Sequence, residues 1–167
     1  MLCALCAALL LLAACRSGTG PAAESDYVLW FLADAASGHG PALAAEPYPA
    51  ETAPGPEELM EALLAGPGQE GLASPFPGRV SLTGCDWDPE RPGTLLIGLS
   101  EQYGDLTDIS LTLADYCIVL TLSQVEGVET VEIRSEGHSA NYRSHQLLAA
   151  DEAVLRDELA RPREETV

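Results

Sequence analysis

A two-layer α/β sandwich is the fold this sequence predicts, and three observations predict it. Apolar strand-like runs alternate along the chain with stretches whose apolar residues recur at helical spacing, the pattern of helices packed on a sheet. Of the 167 residues, 47% are hydrophobic and 20% charged, ordinary proportions for a folded protein. The length suits one domain with appendages.

The chain opens on an apolar, uncharged run, Leu2 to Ala14. A membrane-spanning helix needs about 20 apolar residues, so this run is too short to span but fits the apolar core of a signal peptide. It ends in Leu12-Ala13-Ala14-Cys15, then the polar stretch Arg16 to Pro21. Small residues before the cut fit a peptidase groove, and the Cys15 thiol is a nucleophile able to take a diacylglyceryl group. This box resembles that of bacterial lipoproteins, although no Lys or Arg precedes the apolar run. The alternatives are an ordinary signal peptide or a buried helix of a cytosolic protein. Two acyl chains anchor stably where one holds only marginally. The expected organisation is a signal peptide at 1–14, lipidated Cys15 and a flexible linker to residue 26, one compact domain at 27–137, and a C-terminal appendage at 138–167.

Within the domain, Tyr27-Val28-Leu29-Trp30-Phe31-Leu32 is apolar on both faces and reads as a central buried strand. Residues 42 to 50 read as irregular, since Pro47 and Pro49 do not fit a central strand. A helix starts at Pro56, with Glu57, Glu58 and Glu61 near its positive end. Leu59, Met60, Leu63 and Leu64 recur on its core face, and Gly66-Pro67 ends it. Arg79 to Thr83 alternates, with Val80 and Leu82 inward, and Asp86 to Gly93 is a loop. Thr94 to Leu99 follows with Leu95, Ile97 and Leu99 inward, so the pair reads as a hairpin. Ser110 to Gln124 fits both a strand and a helix; Ser110 could cap a helix there and Gly127 could end it. Val128 to Arg134 is a last strand with Val131 and Ile133 inward, and Asp151 to Leu159 could form a short helix.

All eight basic residues are Arg, against 26 acidic ones, for a net charge of −18. Residues 27 to 137 hold 18 of the acids and three Arg (Arg79, Arg91, Arg134), a net −15. That balance argues against nucleic acid and against electrostatic docking on anionic lipid. Any membrane attachment is therefore covalent or hydrophobic.

Four blocks in order resemble the GerMN domain, the sporulation and spore-germination domain of bacterial lipoproteins: Leu63-Leu64-Ala65-Gly66-Pro67; Leu72 to Pro77; Ile97-Gly98-Leu99-Ser100-Glu101-Gln102-Tyr103; and Ile118-Val119-Leu120-Thr121-Leu122-Ser123-Gln124 with Gly127-Val128. Two departures stand out. The family usually carries basic residues after the first strand, where Ala42 to Ala53 has none. It often has Val and Asp where this chain has Ile97 and Gly98. The resemblance implies an α+β domain in the order β-α-β-β-α-β, one mixed sheet with two helices packed on it, and it makes Ser110 to Gln124 a helix. It also implies a non-catalytic interaction module on the outer face of a bacterial cell membrane, similar to the ring-building modules of spore formers. Its partner would be another envelope protein or assembly. Self-association is left open, and no cofactor is implied.

Few constellations could carry chemistry. Asp86, Asp88 and Glu90 alternate through a loop and could begin a calcium site, yet Pro89 interrupts them and no bidentate Glu closes the set. His39, His138 and His145 do not assemble the four ligands zinc needs. Cys85 and Cys117 could pair outside the cell, but without a spacing pattern they read as separate buried thiols. Ser100 beside Glu101 is no nucleophile with a base; in the family that serine ends a strand. No nucleotide-binding or hydrolase fingerprint appears. The readings are thus a lipid-anchored interaction module in sporulation or germination; an envelope lipoprotein binding a cation or small ligand; and, weakest, a wall hydrolase needing paired carboxylates in a cleft.

Overall fold

The computed structural model describes residues 27–33, 42–136 and 146–153. Strand β1 (Tyr27–Ala33) lies between β2 (Leu43–Tyr48) and the two-residue β3 (Leu72–Ala73), all antiparallel. A second sheet has the order β4 (Leu82–Trp87), β5 (Thr94–Leu99), β6 (Thr130–Ser135), β7 (Gln146–Leu148). It is mixed: β5 and β6 are parallel, and the outer pairings are antiparallel. Helices α1 (Pro56–Ala65) and α2 (Asp108–Leu122) complete the domain, with short 3-10 turns at Glu101–Asp105 and Ala150–Glu152.

The α+β class and the order β1-α1-β4-β5-α2-β6 are those expected. The strands, however, divide into two sheets. Only Leu32 and Ala33 of β1 meet β3 on its second side. Further along that edge, Thr121 of α2 and Gln124, in the turn just past that helix, take backbone groups of β1 in place of a strand. The sheet stops there.

Helix α1 forms where the sequence places it. Pro56 occupies its first turn with Glu57 and Glu58. Gly66, at φ +89°, ends it by donating its N–H to Leu63 O at 3.2 Å, a left-handed conformation a side chain would resist. Leu59, Met60 and Leu63 are wholly buried.

Helix α2 shows why its sequence is ambiguous. It touches β1, β6 and α1. Leu111, Ala114, Cys117, Ile118, Val119, Thr121 and Leu122 are all buried, so it has no broad polar face to reveal the helical period. Its cap is Thr107, not Ser110. Ser110 serves from the first turn, its Oγ accepting the Thr107 N–H at 3.3 Å. Gly127, at φ +87°, lies beyond the helix in the turn toward β6.

Three boundaries differ from expectation. Leu43–Tyr48 is a strand rather than an irregular stretch, and Pro47 fits because β2 is an edge strand. The first hairpin strand begins at Leu82, so Arg79 to Ser81 precede it and Asp86 and Trp87 belong to it; Val80 and Leu82 still pack on the core. β6 is not the last strand, since β7 pairs with it and Leu148 and Ala153 join the core. Part of the 138–167 appendage is therefore built into the fold. Within Asp151 to Leu159, the described residues form only the end of a 3-10 turn, and residues beyond 153 lie outside them.

The core sits between the helices and the inner faces of the strands. Leu95, Ile97, Leu99, Val131 and Ile133 point into it, as their alternation predicts. On β1, Leu29 and Phe31 are buried while Trp30 and Leu32 are half-buried, so that strand is more one-sided than its composition suggests.

Candidate functional site

The turn between β4 and β5 uses the acids that could have begun a cation site. Asp88 Oδ1 accepts the backbone N–H of Glu90 at 2.8 Å and of Arg91 at 3.3 Å, and its Oδ2 accepts Arg91 Nε–H at 2.6 Å. The Glu90 N–H first, and then the Arg91 guanidinium, hold the Asp88 carboxyl below its ordinary range. Both oxygens are thus committed to folding the turn, while Asp86 and Glu90 are exposed. Among the described residues no group of three or more His, Cys, Asp or Glu gathers as a metal site. His39, His138 and His145 lie outside those residues, as do Cys15 and the segments expected to be a signal peptide and linker.

Arg91 continues from this turn onto the outer face of the mixed sheet. It reaches Glu132 Oε2, and Arg134 donates to Glu132 Oε1 through Nε at 2.8 Å and Nη2 at 2.7 Å. Glu132 is 4% exposed, so a carboxylate on a central strand is held between two guanidinium groups. Beside them Thr94 and Thr130, opposite in the register, share a 2.9 Å hydrogen bond. Two of the three arginines in the domain are spent inside this network.

Ser100 closes the β4–β5 hairpin. Its N–H donates to Ser81 O at 2.9 Å and its Oγ accepts the Ser81 N–H at 3.0 Å. Glu101 is exposed at the start of the following turn. The thiols of Cys85 and Cys117 are free. Burial, then Glu57 and Asp86, pushes Cys85 up to about 11; burial alone pushes Cys117 to about 12. Neither is a thiolate at neutral pH, so neither is a primed nucleophile.

Sequence reasoning missed one buried polar pair. Tyr103 donates its hydroxyl to Asp115 Oδ1 at 2.5 Å, tying the 3-10 turn to α2, and the Phe76 ring lies 6.2 Å from the Tyr103 ring. Burial first, then Asp115, raises the Tyr103 hydroxyl well above its ordinary value. The signal was there to be read: Asp115 is the one acid inside the apolar run Leu111 to Leu122.

The surface that remains is acidic, and among the described residues its large exposed apolar side chains are Trp87, 47% exposed at the end of β4, and Ile109, 71% exposed in the first turn of α2. β4 borders the mixed sheet with no strand among the described residues on its far side. What the geometry presents, among the described residues, is a scaffold with several polar groups engaged inward and no strand paired on the outer side of β4. No described helix is long and apolar enough to cross a membrane.

The chain resembles solved structures. The first GerMN domain of the sporulation protein GerM from Bacillus subtilis superposes with a TM-score of 0.52 at 17% identity, over 68% of this chain and 84% of that one. The tandem GerMN domains of the same protein give 0.52 at 16% identity, over 79% of this chain and 46% of that one. At such identities the likeness is one of fold. No curated protein matches the chain in sequence. The profile of the Germane family, described as sporulation and spore germination, matches residues 29–141. That match spans more than half of the sequence and all four of its characteristic blocks, and the chain belongs to the Germane family of sporulation and spore germination.

Proposed function

We propose that the chain is a lipid-anchored, extracytoplasmic interaction module acting in sporulation or spore germination, and that it is not an enzyme. The observation that carries the reading is that three polar residues of the family blocks work for the fold. Ser100 closes a hairpin, while Thr121 and Gln124 secure a strand. With these groups consumed structurally, the chemistry left is that of a surface. The anchor rests on the Leu12-Ala13-Ala14-Cys15 box and the polar linker behind it.

The alternative, a cation-binding envelope lipoprotein, is weakened because Asp88, the centre of its loop, has both oxygens occupied by its own turn. Thermal unfolding with calcium, zinc and chelator separates the two readings: an unchanged midpoint fits the module, and a shift following mass action favours the binder.

The direct test has two arms. Mass spectrometry of the mature N-terminus should find Cys15 first and diacylated, and Cys15→Ala should release the chain from membranes. Pull-downs from membranes of sporulating and vegetative cells should recover a protein partner in one state or both. Failure of both arms would end the reading.

A further inference from the structure

The edges of the two sheets are closed in different ways, and among the described residues no strand closes the outer edge of β4. β2 carries Pro47, which withholds a backbone donor. The second side of β1 is covered by β3 and by Thr121 and Gln124. β7 spans three of the described residues. β4 runs for six, and although it is irregular between Leu82 and Gly84, its pairing from Gly84 to Trp87 is regular. Asp88 donates its N–H to Thr94 O, so by antiparallel alternation Asp86 also turns its backbone toward β5. The N–H and C=O groups of Cys85 and Trp87 then point outward along the open edge.

The side chains beside that edge have a definite chemistry. Trp87 lies on the same face as Leu95 and is 47% exposed, an aromatic anchor at the end of the strand. Asp86 is exposed on the opposite face. Glu57, from the first turn of α1, lies near enough to Cys85 to act on its thiol, so negative charge borders both faces of β4.

Resting on the interaction-module reading above, we propose that the edge of β4 from Gly84 to Trp87 receives an extended segment of a different protein. That segment adds as a strand, carrying basic side chains toward Asp86 and Glu57 and an apolar side chain over Trp87. Main-chain hydrogen bonds would supply affinity and the alternating side chains specificity. A second copy of this chain fits poorly. Two domains of net charge −15 would have to meet, and pairing β4 with its own copy crowds like charges along one edge.

The test places the photo-crosslinking residue p-benzoylphenylalanine, in the full chain expressed in its own bacterium, at Trp87, at Ala45 on β2 or at Arg134 on the outer sheet face. We expect adducts from position 87 in clear excess over 45 and 134, joined to a partner peptide with Lys or Arg beside the attachment point. Adding Asp86→Lys and Glu57→Lys should lower the yield by about tenfold. Both are exposed positions, and an unchanged melting curve of each variant shows that the fold is retained. Adducts from 45 or 134 with none from 87 would overturn the assignment of the edge while leaving the module reading intact. An adduct at 87 to a second copy, or to an acidic segment, would overturn the partner chemistry. No adduct at any position would sink both this inference and the reading it rests on.

Discussion

Gln124 holds Val28 by both of its backbone groups. The side-chain carbonyl of Gln124 accepts the Val28 N–H at 2.9 Å, and its amide donates to Val28 O at 2.7 Å, across 96 positions of sequence. Two residues along the strand, the Trp30 N–H donates to Thr121 Oγ1 at 3.0 Å. The last turn of α2 and the turn that follows it thus imitate a neighbouring strand. Gln124→Leu should therefore cost about 1–3 kcal/mol, because partly buried backbone groups lose their partner. Thr121→Val should cost a similar amount despite its matched volume. Urea unfolding measures both, and hydrogen exchange should quicken at Val28 in the first variant and at Trp30 in the second. Equal exchange in both variants would mean the side chains do not close this edge.

Stability should fall on the alkaline side. Tyr103, Cys117 and Cys85 are neutral groups whose ionisation is pushed upward by burial, the thiols to about 12 and about 11. In the unfolded chain they ionise near their ordinary values, about 8.5 for Cys and about 10 for Tyr. A raised folded value contributes stability that is complete below the unfolded pKa and disappears as pH rises through the folded one. Urea midpoints should hold to about pH 8.5 and then decline. Tyr103→Phe should make the upper part of that decline shallower while lowering stability at pH 7 by about 1–3 kcal/mol, since buried Asp115 loses a donor.

On the acid side the Asp88 carboxylate of the Arg91 network contributes. The Asp88 pKa is depressed, so its contribution is present above the unfolded value of about 3.9 and lost as pH falls through the folded one. Asp88→Asn should flatten that part of the acid unfolding curve. Glu132→Gln should lower the melting midpoint in dilute buffer by removing the anion between Arg91 and Arg134. Those side chains are 42% and 47% exposed, so about 1 M salt should narrow the difference from the parent chain.

Gly98 is a steric requirement of the β4–β5 hairpin. A Cβ there would lie 2.8 Å from Thr83 Oγ1 and 3.2 Å from the Gly84 nitrogen, where the register of β4 shifts. Gly98→Ala should destabilise by about 1–3 kcal/mol, and Thr83→Ala in the same chain should recover part of the loss. Additive costs in this double-mutant cycle would disprove the clash.

Legibility in the sequence followed how locally each feature is encoded. Pro56 and Gly66 punctuate α1 with their own backbone preferences, and Leu95, Ile97 and Leu99 announce a strand by alternation. Helix α2 was hidden because strands and helices contact it on several sides, leaving no polar face to mark its period. Only the family resemblance made it a helix. β2 was masked by Pro47, whose tolerance depends on the strand lying at an edge. Glu132 gave no sign of its role, since its two partners come from a turn 41 residues away and from its own strand.

The sequence by itself determined β1, α1 and the β5 strand, the acidic charge and the box around Cys15, because each is written in neighbouring residues or in composition, while the order through α2 came from its likeness to the family. Tertiary structure alone decided that the strands part into two sheets, that Asp88 serves a turn, and that no described strand pairs with the outer side of β4. Those outcomes depend on which distant side chains arrive at a backbone group, and hydrogen bonds across 41 or 96 positions leave no periodic mark in the chain.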